Sequence, residues 1–325
     1  MTVATELIEG ILRDFPDHRA GTRPVHAFGT MARGWFRPND VAGRLTVAAP
    51  FHRPAGVPAT VRFSSGTGDA GVPEWRRDVR GMAVRLGGDD APFDLVSMTL
   101  PVFFVRTVDD FRGFTRAAEP PRPPVTVPWW RPLLDLLNLR APLADPAPGD
   151  AGVARFSAGH PESCPALVGN FNAGIPESFA TRAYHAVHAF VLTDTDGATC
   201  SVRFSWEPVA GVRDTLTTAE RYLAAELAAR GARSPVGFVL RGQIAEQGDD
   251  TSDPTRPWPR SRKRVVLGQL TLDTFGTGSG EDLEFDPHHL PPGIGGDPGD
   301  EIFAVRGEVY RESARIRRQV RPGPV

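Results

Sequence analysis

The strongest constraint on the fold is a series of short strand-like stretches cut at close intervals by glycine, proline and aspartate. Leu45-Thr46-Val47-Ala48, Ala59-Thr60-Val61-Arg62-Phe63, Gly81-Met82-Ala83-Val84-Arg85-Leu86, Phe93-Asp94-Leu95-Val96 and Val102-Phe103-Phe104-Val105 alternate or run apolar between such breaks. The pattern resumes at Tyr184 to Leu192, Thr199 to Trp206, Val236 to Glu246 and Val265 to Leu272. The turn Asp194-Thr195-Asp196-Gly197 reads as a hairpin, because aspartate and glycine accept the backbone angles of a tight turn. With 34 glycines and 32 prolines the chain favours short strands and many turns over a helical bundle. The expected class is α+β: an antiparallel barrel or sheet surrounded by helices.

Helical periodicity is confined to a few places. Leu7, Ile8, Ile11 and Leu12 make Thr5 to Phe15 a short amphipathic helix. Thr217 to Arg230 reads as a helix with threonines at its start to cap it. A third begins near Ile302 and runs to Gln319. Within a proline-rich excursion at about 119–152, Trp129-Trp130 and Leu133 to Leu137 form one further helical stretch.

Bulk properties exclude more than they select. A net charge of −2 gives no reason to expect nucleic acid as a partner. No apolar run reaches membrane-spanning length, and the N-terminus lacks a basic segment followed by an apolar one. The expectation is a soluble cytoplasmic protein. Two cysteines, Cys164 and Cys200, allow one long-range disulfide and lack metal-binding spacing. Lys263 is the single lysine, and a bias to arginine this uniform is most simply compositional.

Residues with chemistry in them lie far apart. Arg306, Tyr310, Ser313 and Arg317 fall at i, i+4, i+7 and i+11, on one helical face. A phenol titrates near ~10, so it needs a metal or a neighbouring guanidinium to become an anionic ligand. His26 near the other end of the chain is a candidate acid–base group, and Ser64 a candidate to orient its ring. Either segment by itself is equally an ordinary surface or core element. A site drawing on both ends of the chain fits one domain over 1–325, with a core of about 20–318.

The order of the motifs, however, resembles that of the catalase superfamily. Val25-His26-Ala27 with Gly34-Trp35-Phe36 is similar to the family's distal-histidine segment, and Val61-Arg62-Phe63-Ser64 to the one bearing its serine. Arg77-Asp78-Val79-Arg80-Gly81-Met82-Ala83-Val84, Pro101-Val102-Phe103-Phe104-Val105-Arg106 with Phe111, and Val202-Arg203-Phe204-Ser205-Trp206-Glu207-Pro208 follow in sequence. Asp253 to Pro259 continues the match towards Arg306-Gly307-Glu308-Val309-Tyr310.

The resemblance implies a catalase-type barrel with haem b, and hence iron, buried between the barrel and the tyrosine helix. Tyr310 would ligate the iron. His26, Ser64 and Thr99 would act on peroxide. Arg23, Arg62 and Arg317 would pair with the haem propionates. Val25, Phe103 and Phe111 would pack on the macrocycle, and Arg306 would bond the Tyr310 oxygen, with His188 and Asp300 as outer partners.

Two departures from full catalases direct the functional expectation. The asparagine that orients peroxide, placed two residues before the Pro-Val-Phe-Phe stretch, is matched by Thr99, whose hydroxyl is shorter than an amide. The chain also ends at Val325, soon after the tyrosine helix, without the helical domain that follows in full catalases. Together they imply a small catalase-related peroxidase: peroxide or an organic hydroperoxide reduced by a small organic donor, with weak catalase activity and a homodimer left open. The alternatives are a hydroperoxide-rearranging enzyme like the allene oxide synthases, disfavoured by Val25 where those carry a hydroxyl residue, and a non-catalytic haem carrier.

Overall fold

A computed structural model describes residues 2–320 apart from 16, 70, 89–91, 119–151 and 277. The helical stretch expected at Trp129 to Leu137 lies outside the described residues. Among the described residues there are ten strands: β1 Gly29–Pro38, β2 Val57–Ser65, β3 Arg80–Leu86, β4 Phe93–Met98, β5 Tyr184–His185, β6 Phe190–Thr193, β7 Thr199–Pro208, β8 Val236–Ile244, β9 Arg264–Phe275 and β10 Ile294–Gly296. Pairing runs β7-β5-β4-β3-β2-β1-β9-β8 and closes because β8 also pairs with β7, giving an eight-stranded antiparallel barrel. Closure removes the open edges that an antiparallel sheet would otherwise leave for aggregation. β6 pairs with β7 outside the ring, and β10 pairs with β6. The expected hairpin is present, with Thr193 opposite Thr199 and the Asp194 N–H donating to the Ala198 carbonyl at 3.0 Å.

Period-two alternation sorts side chains between two environments. Val61, Phe63, Val84 and Leu95 point into the barrel core, where Phe63 stacks on Phe179 with centroids 5.5 Å apart. Arg62, Ser64, Ala83 and Val96 point out of the barrel, yet Arg62 and Ser64 are each only 3% exposed. Helices cover that outer face, so polar side chains there line a cavity between barrel and helices.

The covering helices are α1 Val3–Asp14, α3 Val108–Ala118 and the C-terminal helix Glu301–Val320. Between them in the chain lie α2 Asp40–Leu45, α4 Gly152–Gly159, α5 Cys164–Phe171 and α6 Leu223–Gly231, which makes the C-terminal helix α7. α1 is tied to α3 by the Arg112–Glu6 ion pair at 2.9 Å and to α7 by the Thr5 hydroxyl donating to Glu312 at 3.2 Å. Asp300 caps α7 by accepting the Phe303 N–H at 2.9 Å. Glu301 in its first turn and Arg317 and Arg318 in its last complement the helix dipole.

Four expectations about local structure are corrected. Leu45 to Ala48 is no strand: Asn39 accepts the N–H groups of Val41 and Ala42, both at 3.1 Å, and starts a helix that ends at Leu45. Val102 to Val105 joins no sheet, because the Phe103 N–H donates to the Pro254 carbonyl (2.8 Å) and the Phe104 carbonyl accepts from Ser163 Oγ (2.6 Å). Tyr184 to Leu192 is two short strands broken at 186–189, where His188 leaves the ladder. The helix expected from Thr217 begins only at Leu223. Its cap is no threonine: the Glu74 carboxylate accepts the N–H groups of Tyr222 (2.6 Å) and Leu223 (2.8 Å) from a distant loop. Both cysteines are free thiols, Cys164 exposed and Cys200 partly buried.

Candidate functional site

A cavity of about 500 Å³ lies between the outer face of β2–β4 and the helices α1, α3 and α7. Its size falls within the range of about 300–1,000 Å³ usual for small-molecule and cofactor sites. One row of paired residues runs across the barrel wall: Gly29 opposite Ser64, Ser64 opposite Gly81, Gly81 opposite Met98, and Met98 opposite His185. Ser64, Met98 and His185 all line the cavity.

His26 hangs over this row. It belongs to the loop before β1, held by its N–H donating to the Gly66 carbonyl at 2.9 Å. Its φ of 56° makes it the one non-glycine in the left-handed region among the described residues. Such a conformation costs of order 1–3 kcal/mol and persists only where surrounding bonds enforce it. His26 Nδ1 lies 3.0 Å from Ser64 Oγ, which fixes the ring and leaves Nε2 free for chemistry. Burial, followed by the nearby Arg62, Arg306, Arg23 and Arg80, lowers its pKa to about 3, so the imidazole is neutral.

On α7 the expected face is formed: Arg306, Tyr310, Ser313 and Arg317 all line the cavity. Arg306 Nη2 donates to the Tyr310 hydroxyl at 2.9 Å, and its guanidinium sits 5.3 Å from the ring centre. His188 and Asp300 form a buried pair at 2.6 Å. Among the described residues Arg306 bonds neither of them, and His188 Nε2 is buried without a partner. Burial is the main reason the His188 pKa is lowered, against the opposing pull of Asp300.

Val25, Phe103 and Phe111 supply apolar wall, with Phe103 and Phe111 stacked at 6.4 Å. Thr99 is placed differently from expectation. Its hydroxyl accepts the Arg80 N–H at 3.0 Å as part of the sheet edge, and it is not a wall residue; Met98 before it is. Thr99 lies just past the end of β4, and its own N–H donating to the Arg80 carbonyl at 2.9 Å completes the pairing that holds it there.

At the far end of the cavity Arg23, Arg62 and Arg317 converge, as expected, but around a residue the sequence reading missed. Glu281 Oε1 accepts from Arg23 Nη1 at 2.8 Å and Arg62 Nη2 at 2.5 Å, and its Oε2 lies 3.7 Å from Arg317 Nε. Glu281 sits in a loop among Gly278, Ser279 and Gly280, with no periodic pattern to mark it. Its one sequence signal is a carboxylate in the stretch leading to the tyrosine helix.

With this geometry, similarity to known proteins decides the family. The Catalase family profile matches residues 4–141. The chain is 33% identical over 314 residues to a "Catalase-related peroxidase" of Mycolicibacterium paratuberculosis, covering 93% of this chain and 91% of that protein. The chain belongs to the catalase family. Within that family it is also 32% identical over 331 residues to "Catalase isozyme 2" of Solanum lycopersicum and 27% over 330 residues to that of Ricinus communis. It covers 62% of the length of each of these two plant proteins and 94% of itself. Catalase-family proteins are oxidoreductases acting on peroxide.

The residues present fit the haem of that family on two observations. The cavity joins an apolar wall to a cluster in which three guanidiniums face one carboxylate, an excess of positive charge suited to a dicarboxylate. Tyr310 presents a phenol oxygen on the α7 wall of the same cavity, oriented by the Arg306 guanidinium at 2.9 Å, and a tyrosine oxygen is an established haem ligand.

Proposed function

We propose that the chain is a haem b-dependent peroxidase, reducing hydrogen peroxide or organic hydroperoxides with electrons from a small organic donor, and a weak catalase. The observation that carries this reading is the pairing of His26–Ser64 and Tyr310–Arg306 on two walls of one cavity. When bound, haem would supply redox-active iron able to exchange electrons with a peroxide and with an organic donor.

The chain's own residues do the rest. Tyr310 would hold the iron from α7, with Arg306 orienting its oxygen. Arg23, Arg62 and Arg317 would hold the propionates, and Phe103, Phe111 and Val25 would pack on the macrocycle. His26, neutral at its buried position, takes the peroxide proton at Nε2 and returns it to the departing oxygen, which leaves as water or alcohol. Ser64 keeps the ring in line through Nδ1. Met98 puts a thioether on the wall near His26, where it offers no strong hydrogen bond to a second peroxide, in keeping with weak disproportionation.

No helix among the described residues is long and apolar enough to cross a membrane. A cytoplasmic location, one domain over 1–325 and a homodimeric assembly belong to the same proposal.

The test is the absorption spectrum of haem-loaded protein together with peroxide consumption with and without a phenolic donor. Donor-dependent turnover above donor-free turnover is expected. Conversion of a fatty-acid hydroperoxide without any donor would favour the rearranging enzyme, and inertness towards every peroxide the haem carrier.

A further inference from the structure

Glu281 is a buried carboxylate, 3% exposed, surrounded by guanidiniums from three separate parts of the chain. It is absent from the cavity wall, whereas Arg23, Arg62 and Arg317 all line it. The carboxylate therefore lies behind the arginines. Their positions do not depend on it alone. Backbone carbonyls of the same loop hold each arm: Arg62 Nε donates to Ser279 at 2.8 Å, Arg23 Nη1 to Gly280 at 3.0 Å, and Arg317 Nε to the Glu281 carbonyl at 3.1 Å. Arg23 Nη2 adds a bond to the Leu283 carbonyl at 2.7 Å.

Carbonyl oxygens place the arms but carry no net charge; Glu281 is the carboxylate that pairs with the arginines themselves. Three guanidiniums against one carboxylate leave two positive charges facing the cavity. Glu284, which also lines the cavity, is engaged by Arg318 at 3.1 Å and leaves this balance unchanged.

We propose that Glu281 is the internal counter-ion that sets the charge of this clamp to match two carboxylates. It thereby tunes the clamp for a dicarboxylate porphyrin without touching the ligand. Glu281 is in this sense a positioning residue, acting through the arginines, and the proposal rests on the haem reading above. The crowding of like charges is visible in Arg62, whose pKa burial and then Arg23 lower to about 9, and in Arg317, lowered by burial and then Arg23 to about 10. A clamp so crowded gains from each added carboxylate, and would lose most from removal of the one it already holds.

The experiment compares the parent with Glu281→Gln, in which shape is kept and one negative charge is lost. The probes are iron-free protoporphyrin IX and its dimethyl ester, which lacks the carboxylates; the readouts are melting temperature and fluorescence titration. Glu281→Gln is expected to lower the melting temperature of the empty protein more than that of the loaded one. It is expected to bind protoporphyrin IX about tenfold more tightly than the parent, with no gain for the ester.

The double variant Glu281→Gln/Arg317→Gln has two guanidiniums and no carboxylate, so the excess is again two charges, and it should recover stability when empty. Equal losses in empty and loaded protein, or the same gain with the ester, would overturn the proposal. If Glu281→Gln does not fold, recovery of a folded double variant supports it and failure of both overturns it. A parent that binds neither porphyrin would overturn the haem reading and the proposal together; a parent that binds without charge coupling would overturn the proposal only.

Discussion

Gly81 leaves the space that His26 and Ser64 occupy: a Cβ at this position would lie 2.8 Å from His26 Nδ1 and 2.7 Å from Ser64 Oγ. Both distances are inside van der Waals contact, and neither partner is free to yield. Ser64 is fixed on β2 opposite Gly81, and His26 is held in its left-handed conformation by the loop. Gly81→Ala should therefore displace the imidazole while the barrel survives, because β3 remains paired on both sides. Overpacking of this kind costs about 1–3 kcal/mol, and a shift of about 1 Å in a reacting group costs roughly 10²-fold in rate. Thermal denaturation and peroxide turnover measured on the same preparation test this. Full turnover would show that His26 is not where the chemistry occurs.

Removing the groups directly separates their roles. Tyr310→Phe keeps the ring and deletes the oxygen that Arg306 contacts, so a phenolate-type haem spectrum should disappear. His26→Ala should retain that spectrum and slow the first reaction with peroxide by roughly 10²–10⁴-fold, the usual worth of a placed acid–base group. Stopped-flow absorbance with hydrogen peroxide measures both. An unchanged spectrum in the first variant, or an unchanged rate in the second, removes the corresponding assignment.

Asp300 connects two functions that can be separated chemically. One oxygen caps α7 through the Phe303 N–H, and the other lies 2.6 Å from His188 Nδ1. Asparagine keeps good capping ability, whereas alanine removes it at a cost of about 0.5–2 kcal/mol. Asp300→Ala should therefore be less stable than Asp300→Asn in urea denaturation. Both should disturb His188 to a similar extent. Equal stability of the two variants would mean that the cap contributes nothing.

How far these features could be read from the chain follows its periodicities. Alternation in Val61-Arg62-Phe63-Ser64 and the spacing of Arg306, Tyr310, Ser313 and Arg317 marked faces of regular elements, and those faces line the cavity. Glu281 was missed because loop residues carry no period. Distance from a proline along the chain points to Thr99 but carries no information about facing; Thr99 is bonded to Arg80 just past β4, and Met98 lines the cavity. The Glu74 cap of α6 was equally hidden, since a contact across 148 positions has no local signature.

Burial of histidines makes the empty protein sensitive to mild acid. The pKa is lowered to about 3 at His26 and to about 4 at His185, in both chiefly by burial, and it is lowered at His188 for the same main reason. Below the ordinary value of about 6.5 the unfolded chain binds protons at these sites while the folded one does not. Stability must then fall as pH falls, by up to about 1.4 kcal/mol per pH unit for each histidine. The loss begins near pH 6.5 and stops accumulating only as pH reaches the folded values, about 4 for His185 and about 3 for His26. Between about pH 6.5 and 5 ordinary carboxylates contribute little, while Asp78, its pKa raised by burial, opposes the loss, so the histidine share is read from the difference between parent and variant. Urea denaturation of the parent and of His26→Gln across this window should show a shallower slope in the variant. Parallel slopes would mean that His26 takes up a proton in the folded protein as readily as in the unfolded chain, so that burial does not hold it neutral.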